Sequence, residues 1–390
     1  MKVICERAAL LEAINLVSGV VNARTPRPQL TCVRVSATQD GGAGTLNLAA
    51  TDAEISLSLQ IGRVEVAEEG QALIPADKLR QIVSAEENEP TLTLETEGDL
   101  THIRGADAHF RLHGFPAAEF PPVPRFADLV EGRGGGSPAT AAFSIDAGTL
   151  AGIVGRTVFA TARENSRYAI NGVLLKRDGK KLEMVATDGR RLALCRATAG
   201  EGEGEAASCI VPTKALGILM KLVGDDDEPV RLAITDNQIA FRFGDTDEDA
   251  RATLVSALVE GTFPPYEDVI PKDQDIKVEF DRDVLISAVR RAALLTNEES
   301  RGVRMAFSGE DKQLRLSSRA PEMGEANITV DLASLDGKDI EIGFNPAFII
   351  DALKVIDDPR VVMELKEAKK PGVFRSGSEF VYVVMPVNLS

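Results

Sequence analysis

The chain has 390 residues, 44% of them hydrophobic and 27% charged, a composition of soluble globular domains and enough length for two or three. Its formal charge of −16 excludes a uniformly basic nucleic-acid-binding surface, though not one basic face on an otherwise acidic body. No apolar run approaches the roughly 18 residues a membrane span requires, and residues 1–6 lack a signal-peptide core, so a cytoplasmic location is expected.

In chain order, a short strand over residues 3–5 leads into a helix that repeats Leu10, Ile14 and Val17 at helical spacing. Strands follow near 30–36, 46–50 and 55–61, and then a strand running through Ile74-Pro75 into a helix with Leu79, Ile82 and Val83 on one face. Strands near 91–95, 100–104 and 109–113 close this first unit with Gly114-Phe115-Pro116. The stretch Glu-Gly-Arg-Gly-Gly-Gly-Ser-Pro-Ala-Thr at 131–140 reads as a flexible linker.

The pattern then starts again. Phe143 and Ile145 mark a strand, Leu150, Ile153, Val154, Thr157 and Val158 an amphipathic helix, and Cys209-Ile-Val-Pro212 the step into the next helix. A hairpin over 182–195 turns at Thr187-Asp188-Gly189, where Asp-Gly is expected to supply positive-φ positions; Thr51-Asp52 repeats the phrase 136 residues earlier. The third unit opens at Ile276, with Leu285, Ala288, Val289, Ala292 and Leu295 inward on its helix, and steps into its last helix at Asn345-Pro346. Three copies of about 130 residues account for the length. The expected class is α+β, with domains 1–130, 141–270 and 274–390, each of antiparallel sheets packed on two helices.

Catalytic signatures are missing from this pattern: there is no P-loop, no GxSxG, and no GxGxxG opening a helix. Of the three histidines, His102, His109 and His113, the last two have i,i+4 spacing, but alternation with Phe110 and Leu112 reads as a strand and argues against a metal. Cys5, Cys32, Cys195 and Cys209 lack CxxC spacing and read as reduced core thiols. No metal, cofactor or catalytic residue is expected.

Several phrases together resemble the bacterial sliding clamps, the beta subunits of DNA polymerase III, over the full length. They include Val17-Ser18-Gly19, Arg24 with Pro28, Arg167-Tyr168 with Asn171-Gly172, and Val185-Ala-Thr-Asp-Gly189. Phe263-Pro264 with Tyr266, Asn297-Glu298, Arg301-Gly-Val-Arg304 and Tyr382-Val-Val-Met-Pro386 continue the set. The resemblance implies a head-to-tail homodimer closing as a six-domain ring around duplex DNA, with no reaction of its own. It would be opened by a clamp loader and would tether the replicative polymerase.

Three sites follow from the resemblance. DNA contacts would come from Arg24, with Arg7 and Arg27 near it, and from Arg163, Arg167, Tyr168 and Lys214, while helical spacing alone adds Arg282, Arg290 and Arg291 in the third unit. A pocket for peptides from the polymerase alpha subunit, the clamp loader and other partners would be walled by Ile170, Thr187, Gly189, Arg190, Arg191, Leu192, Pro264, Val269, Val383, Met385 and Pro386. The dimer seam would use Phe110, Leu112, Leu294 and Leu295. Asp77, Glu164, Ala169, Arg190 and Asp268 depart from the family pattern at these sites. The alternative is a repeat-built scaffold that binds peptides without encircling DNA.

Overall fold

The computed structural model describes residues 1–133, 136–162, 169–204, 206–224, 227–296, 302–321 and 323–388. Two compact units emerge, one of residues 1–151 with 199–258, the other of 152–198 with 259–390. The division falls inside the central repeat.

In the first unit, the strand Lys2–Glu6 runs directly into helix α1 (Arg7–Ser18), whose Leu10, Ala13, Ile14 and Val17 are buried. Leu10, Ile14 and Val17 each contribute about 1.5–3 kcal/mol when fully buried, Ala13 less. Helix α2 (Ala76–Ala85) packs against α1 and buries Ala76, Leu79 and Val83, while Ile82 is only half-buried. The fourteen-residue strand Ile55–Glu68 joins the repeats. It pairs with Ala43–Thr51, with Lys2–Glu6, and through Ile55 to Leu59 with Ala252–Ala257 of the central repeat. The main order of this sheet ends at His109–His113, which has one strand neighbour in that order.

The expected linker is anchored at its start. Helix α3 (Phe126–Glu131), unmarked in the sequence pattern, buries Phe126 and Leu129 against Ala233, Ala240 and Val255, with Ala139 packed beside them. Apolar side chains just before a Gly-rich run hold the chain to the sheet. Helix α4 (Ala147–Gly155) is shorter than its apolar spacing suggested: Thr157 lies beyond it, and Val158–Ala160 form a separate 3-10 turn. Helix α5 (Thr213–Leu222) completes the first unit.

In the second unit one antiparallel sheet runs in the order Gly172–Asp178, Lys181–Thr187, Arg191–Thr198, Phe380–Val384, Gly372–Ser376, Arg360–Leu365, Ile276–Asp281, Ser334–Asp336. Register Leu192↔Val383 brings the central hairpin beside the chain's last strand. Helix α6 (Arg282–Ala292) is capped by Asp281, which accepts from the Val284 N–H, and buries Leu285, Ala288, Val289 and Ala292. Leu295 belongs to the following 3-10 turn rather than to the helix and is half-buried. Helix α7 (Pro346–Lys354) begins as Asn345-Pro346 implies, with Asn345 capping and Pro346 in the first turn. A four-stranded sheet ends at Gly324–Asp331, against which α6 and the 3-10 turn pack.

Candidate functional site

The Thr-Asp phrase builds a turn by side-chain capping. Thr187 Oγ1 donates to the Arg191 carbonyl and accepts from the Gly189 N–H, while Asp188 Oδ1 accepts from the N–H groups of Arg190 and Arg191. Only Gly189, at φ +83°, takes the positive-φ position; Asp188 does not, because its carboxylate does the turning instead. Sequence reasoning assigned positive φ to both, and the structure corrects it.

That turn sets one wall of a cavity of about 200 Å³. Ile170, Thr187, Gly189, Arg190, Arg191, Leu192, Pro264, Val269, Val383 and Met385 line it, joined by Pro265 and Tyr266. Pro386 does not line this cavity; it lines a neighbouring recess of about 560 Å³ that shares Met385. Leu192, Val383, Ile170 and Tyr266 are buried walls, whereas Val269 and Met385 are exposed lips at 46% and 39%. Such a cavity offers apolar surface with a pliant thioether at its edge.

Arg191 is fixed beneath it. Its guanidinium donates to Asp188 at 3.0 Å, Asp351 at 2.8 Å and the Phe159 carbonyl at 2.7 Å, and lies 4.4 Å from the Phe348 ring centroid. Tyr382, fully buried behind the hairpin, donates to the Phe348 carbonyl at 2.9 Å. At the other wall Tyr266 donates to Glu183 at 3.1 Å, and Lys176 reaches both Tyr266 and Glu267. Burial first, and then the carboxylates of Glu183 and Glu267, push the Tyr266 phenol well above its usual range, so it stays a donor.

The basic residues are placed unevenly. Arg24 is exposed in the turn after α1, with its N–H held by Asn22. Lys214, in the first turn of α5, is not a free cation: its ammonium lies 2.5 Å from Asp52 Oδ2 and 3.1 Å from the Val20 carbonyl. Sequence reasoning missed this partner, although the repeated Thr-Asp phrase marked Asp52 as special. Arg163, Arg167 and Tyr168, with Glu164, Asn297, Glu298 and Arg301, lie outside the described residues. Arg290 and Arg291 are exposed in the last turn of α6, while Arg282 is held by Asp283 and the carbonyls of Ile356 and Asp357. Arg7 donates to the Val83 carbonyl, Arg27 is exposed, and Asp77 sits in the first turn of α2. Ala169 is buried.

Phe110 and Leu112 are half-buried on the terminal strand His109–His113; Leu294 is 76% exposed, the residue before half-buried Leu295. All four cysteines are free and buried. Among the described residues, carboxylates of Glu86, Glu89 and Asp107 come within 4.8 Å of one another, an arrangement common on surfaces without an ion. No helix among the described residues is long and apolar enough to cross a membrane.

Tandem α+β repeats of antiparallel sheets on paired helices, with a hairpin-walled apolar cavity, define the class of DNA clamps. Three family descriptions match in succession: DNA polymerase III beta subunit N-terminal domain over 1–124, central domain over 144–265 and C-terminal domain over 267–388. The chain is 32% identical to the beta sliding clamp of Escherichia coli K12 over 391 aligned residues, covering all of both chains. Across full lengths it also matches crystal structures of the DNA polymerase III beta subunit of Pseudomonas aeruginosa (33% identity, TM-score 0.86) and the sliding clamp of Bacillus subtilis (26%, 0.89). The chain belongs to the DNA polymerase III beta subunit family and is a DNA sliding clamp built of three tandem clamp domains.

Proposed function

We propose that two copies close head to tail into a ring of six domains, with boundaries at 1–130, 141–270 and 274–390 and a linker at 131–140. The ring encircles duplex DNA and tethers the replicative polymerase in the cytoplasm, without a reaction of its own. Membership in the sliding-clamp family carries this reading. DNA would be held by Arg24, Arg163, Arg167, Tyr168 and Lys214 through weak, sequence-independent phosphate contacts suited to sliding.

The hairpin-walled cavity would take short peptides of the polymerase alpha subunit, the clamp loader and other partners. Its buried apolar walls and exposed Met385 lip support that assignment. The seam would join His109–His113 of one copy to Gly324–Asp331 of the other, each at the end of its sheet's strand order among the described residues. Phe110, Leu112, Leu294 and Leu295 would supply apolar cover, and pairing satisfies two open backbone edges together.

Two measurements test it. Light scattering should give a mass near twice 41.7 kDa. Retention on closed circular DNA should vanish when the circle is cut. A folded chain that stays monomeric, or one that is retained equally on linear DNA, would refute the ring.

A further inference from the structure

All three histidines of the chain, His102, His109 and His113, lie on two adjacent strands at the free end of one sheet, Leu100–Arg104 and His109–His113. His102 Nδ1 and His109 Nε2 are 2.9 Å apart. The ring planes differ by 21° with centroids 5.1 Å apart, so the rings lie nearly end to end and one N–H points at the other ring's lone pair. Such a contact holds one proton between two nitrogens. It needs at least one neutral ring, because two imidazolium rings present only donors.

The charges around the pair come from three strands. Arg111 stands opposite His102, and Arg104 stands opposite His109. From the neighbouring strand Thr91–Glu97, Glu95 faces His102, and a Glu97 oxygen lies 3.9 Å from His102 Nε2. Glu95 is already engaged by Lys2 at 3.6 Å and Arg104 at 3.4 Å. His113 sits opposite Leu100, farther along the same edge. A second proton on His109 therefore meets Arg104 and Arg111 beside a Glu95 already engaged by two cations, while Glu97 lies on the far, Nε2 side of His102. Desolvation first, then Arg104, His102 and Arg111, hold the exposed His109 below its usual value of 6.5.

We propose that the proton shared by His102 and His109 positions the edge strand for a second copy of this chain, so that acidification loosens the dimer. The inference rests on the seam assigned above. His109, Arg111 and His113 alternate with Phe110 and Leu112 along the strand. Repulsion on one face of a five-residue strand paired on one side displaces the apolar residues on the other face. The sign follows from the depressed His109: the opened strand takes up protons at its ordinary value, the ordered strand only lower. The ordered strand is thus progressively less favoured as pH falls below 6.5.

The test is the dimer dissociation constant of the full chain, by fluorescence-detected sedimentation, at about pH 7.5 and about pH 5.5, a range in which histidine titrates. The constant should rise several-fold from the higher pH to the lower. His109→Gln, which can bond His102 but cannot titrate, should flatten that slope, as should His102→Gln from the other strand; His113→Gln should keep it. Equal slopes in the native chain and both pair variants, no slope at all, or a slope lost only in His113→Gln would overturn the proposal. A folded chain that is monomeric at both pH values would refute the ring itself, an outcome separate from a dimer whose slope ignores the pair.

Discussion

Asp52 and Asp188, 136 residues apart, each use one carboxylate oxygen to turn the chain and the other to hold a cation from elsewhere in the fold or from the turn itself. Asp52 Oδ1 accepts from the N–H groups of Glu54 and Ile55 while Oδ2 meets Lys214; Asp188 Oδ1 accepts from Arg190 and Arg191 while Oδ2 meets the Arg191 guanidinium. Ala53 at φ +79° and Gly189 at φ +83° occupy the same place in the two turns. The same turn thus holds a lysine in the first unit and underlies the cavity wall in the second.

The Lys214 pairing sets the first prediction. Asp52→Asn keeps the turn, because the amide oxygen still accepts from Glu54 and Ile55, but releases the ammonium. Retention on circular DNA should tighten, and the slope of log K against log salt should steepen by about one, the value for one added phosphate contact. An unchanged slope would remove Lys214 from the DNA-contacting set.

Met385 forms an exposed lip shared by two neighbouring cavities, so its truncation should cost partner binding more than stability. For Met385→Ala, affinity for a polymerase-derived peptide should fall about tenfold, near 1.4 kcal/mol, with a melting temperature within about 2 °C of the parent. Calorimetry on both chains separates the two effects. Equal peptide affinity would move the binding site away from this cavity.

The thiols give a prediction at alkaline pH. Burial pushes Cys5 and Cys209 up to about 12, and Cys32 to about 11. A thiol whose folded value is raised supports the fold below its unfolded value and loses that support as pH rises toward the folded one. Stability to urea should therefore decline above about pH 9, and thiol reagents near pH 8 should label the native chain only after unfolding. Rapid labelling of the folded chain would show that a buried strand opens readily.

How much of this was legible depends on the range of the interaction. Leu10, Ile14 and Val17 announced α1 because helical spacing is local, and Asn345-Pro346 announced α7 because capping chemistry is local too. Helix α3 was missed since six residues carry less than two turns of pattern, and its reason to exist is Ala233, Ala240 and Val255, a hundred residues onward. Likewise Thr157 and Leu295 continued an apolar rhythm past the helix ends: Thr157 is buried as the cap of a 3-10 turn and Leu295 half-buried at the end of another, neither continuing the helical ladder. The cavity combines segments near 170–192, 264–269 and 383–385; periodicity could not gather them, and the family resemblance named them. The Lys214 and His109 partners come from strand pairing and helix docking, which no single stretch encodes.

Arg191 is the residue on which that cavity depends most. Its guanidinium satisfies Asp188, Asp351 and the Phe159 carbonyl together and packs on Phe348, so removal strands two partly buried carboxylates and a carbonyl. Arg191→Ala should cost about 3 kcal/mol in urea denaturation, the scale for breaking a buried ion pair by one partner. Peptide affinity should fall at least about tenfold with it, since the Asp188 turn that carries Gly189 and Arg190 loses its anchor. Arg191→Lys should recover only part of both losses, because an ammonium cannot present the planar fork that reaches three acceptors in different directions. A lysine variant indistinguishable from the parent would mean that charge alone holds the turn, and an alanine variant of full stability would mean that the network is ornament rather than foundation.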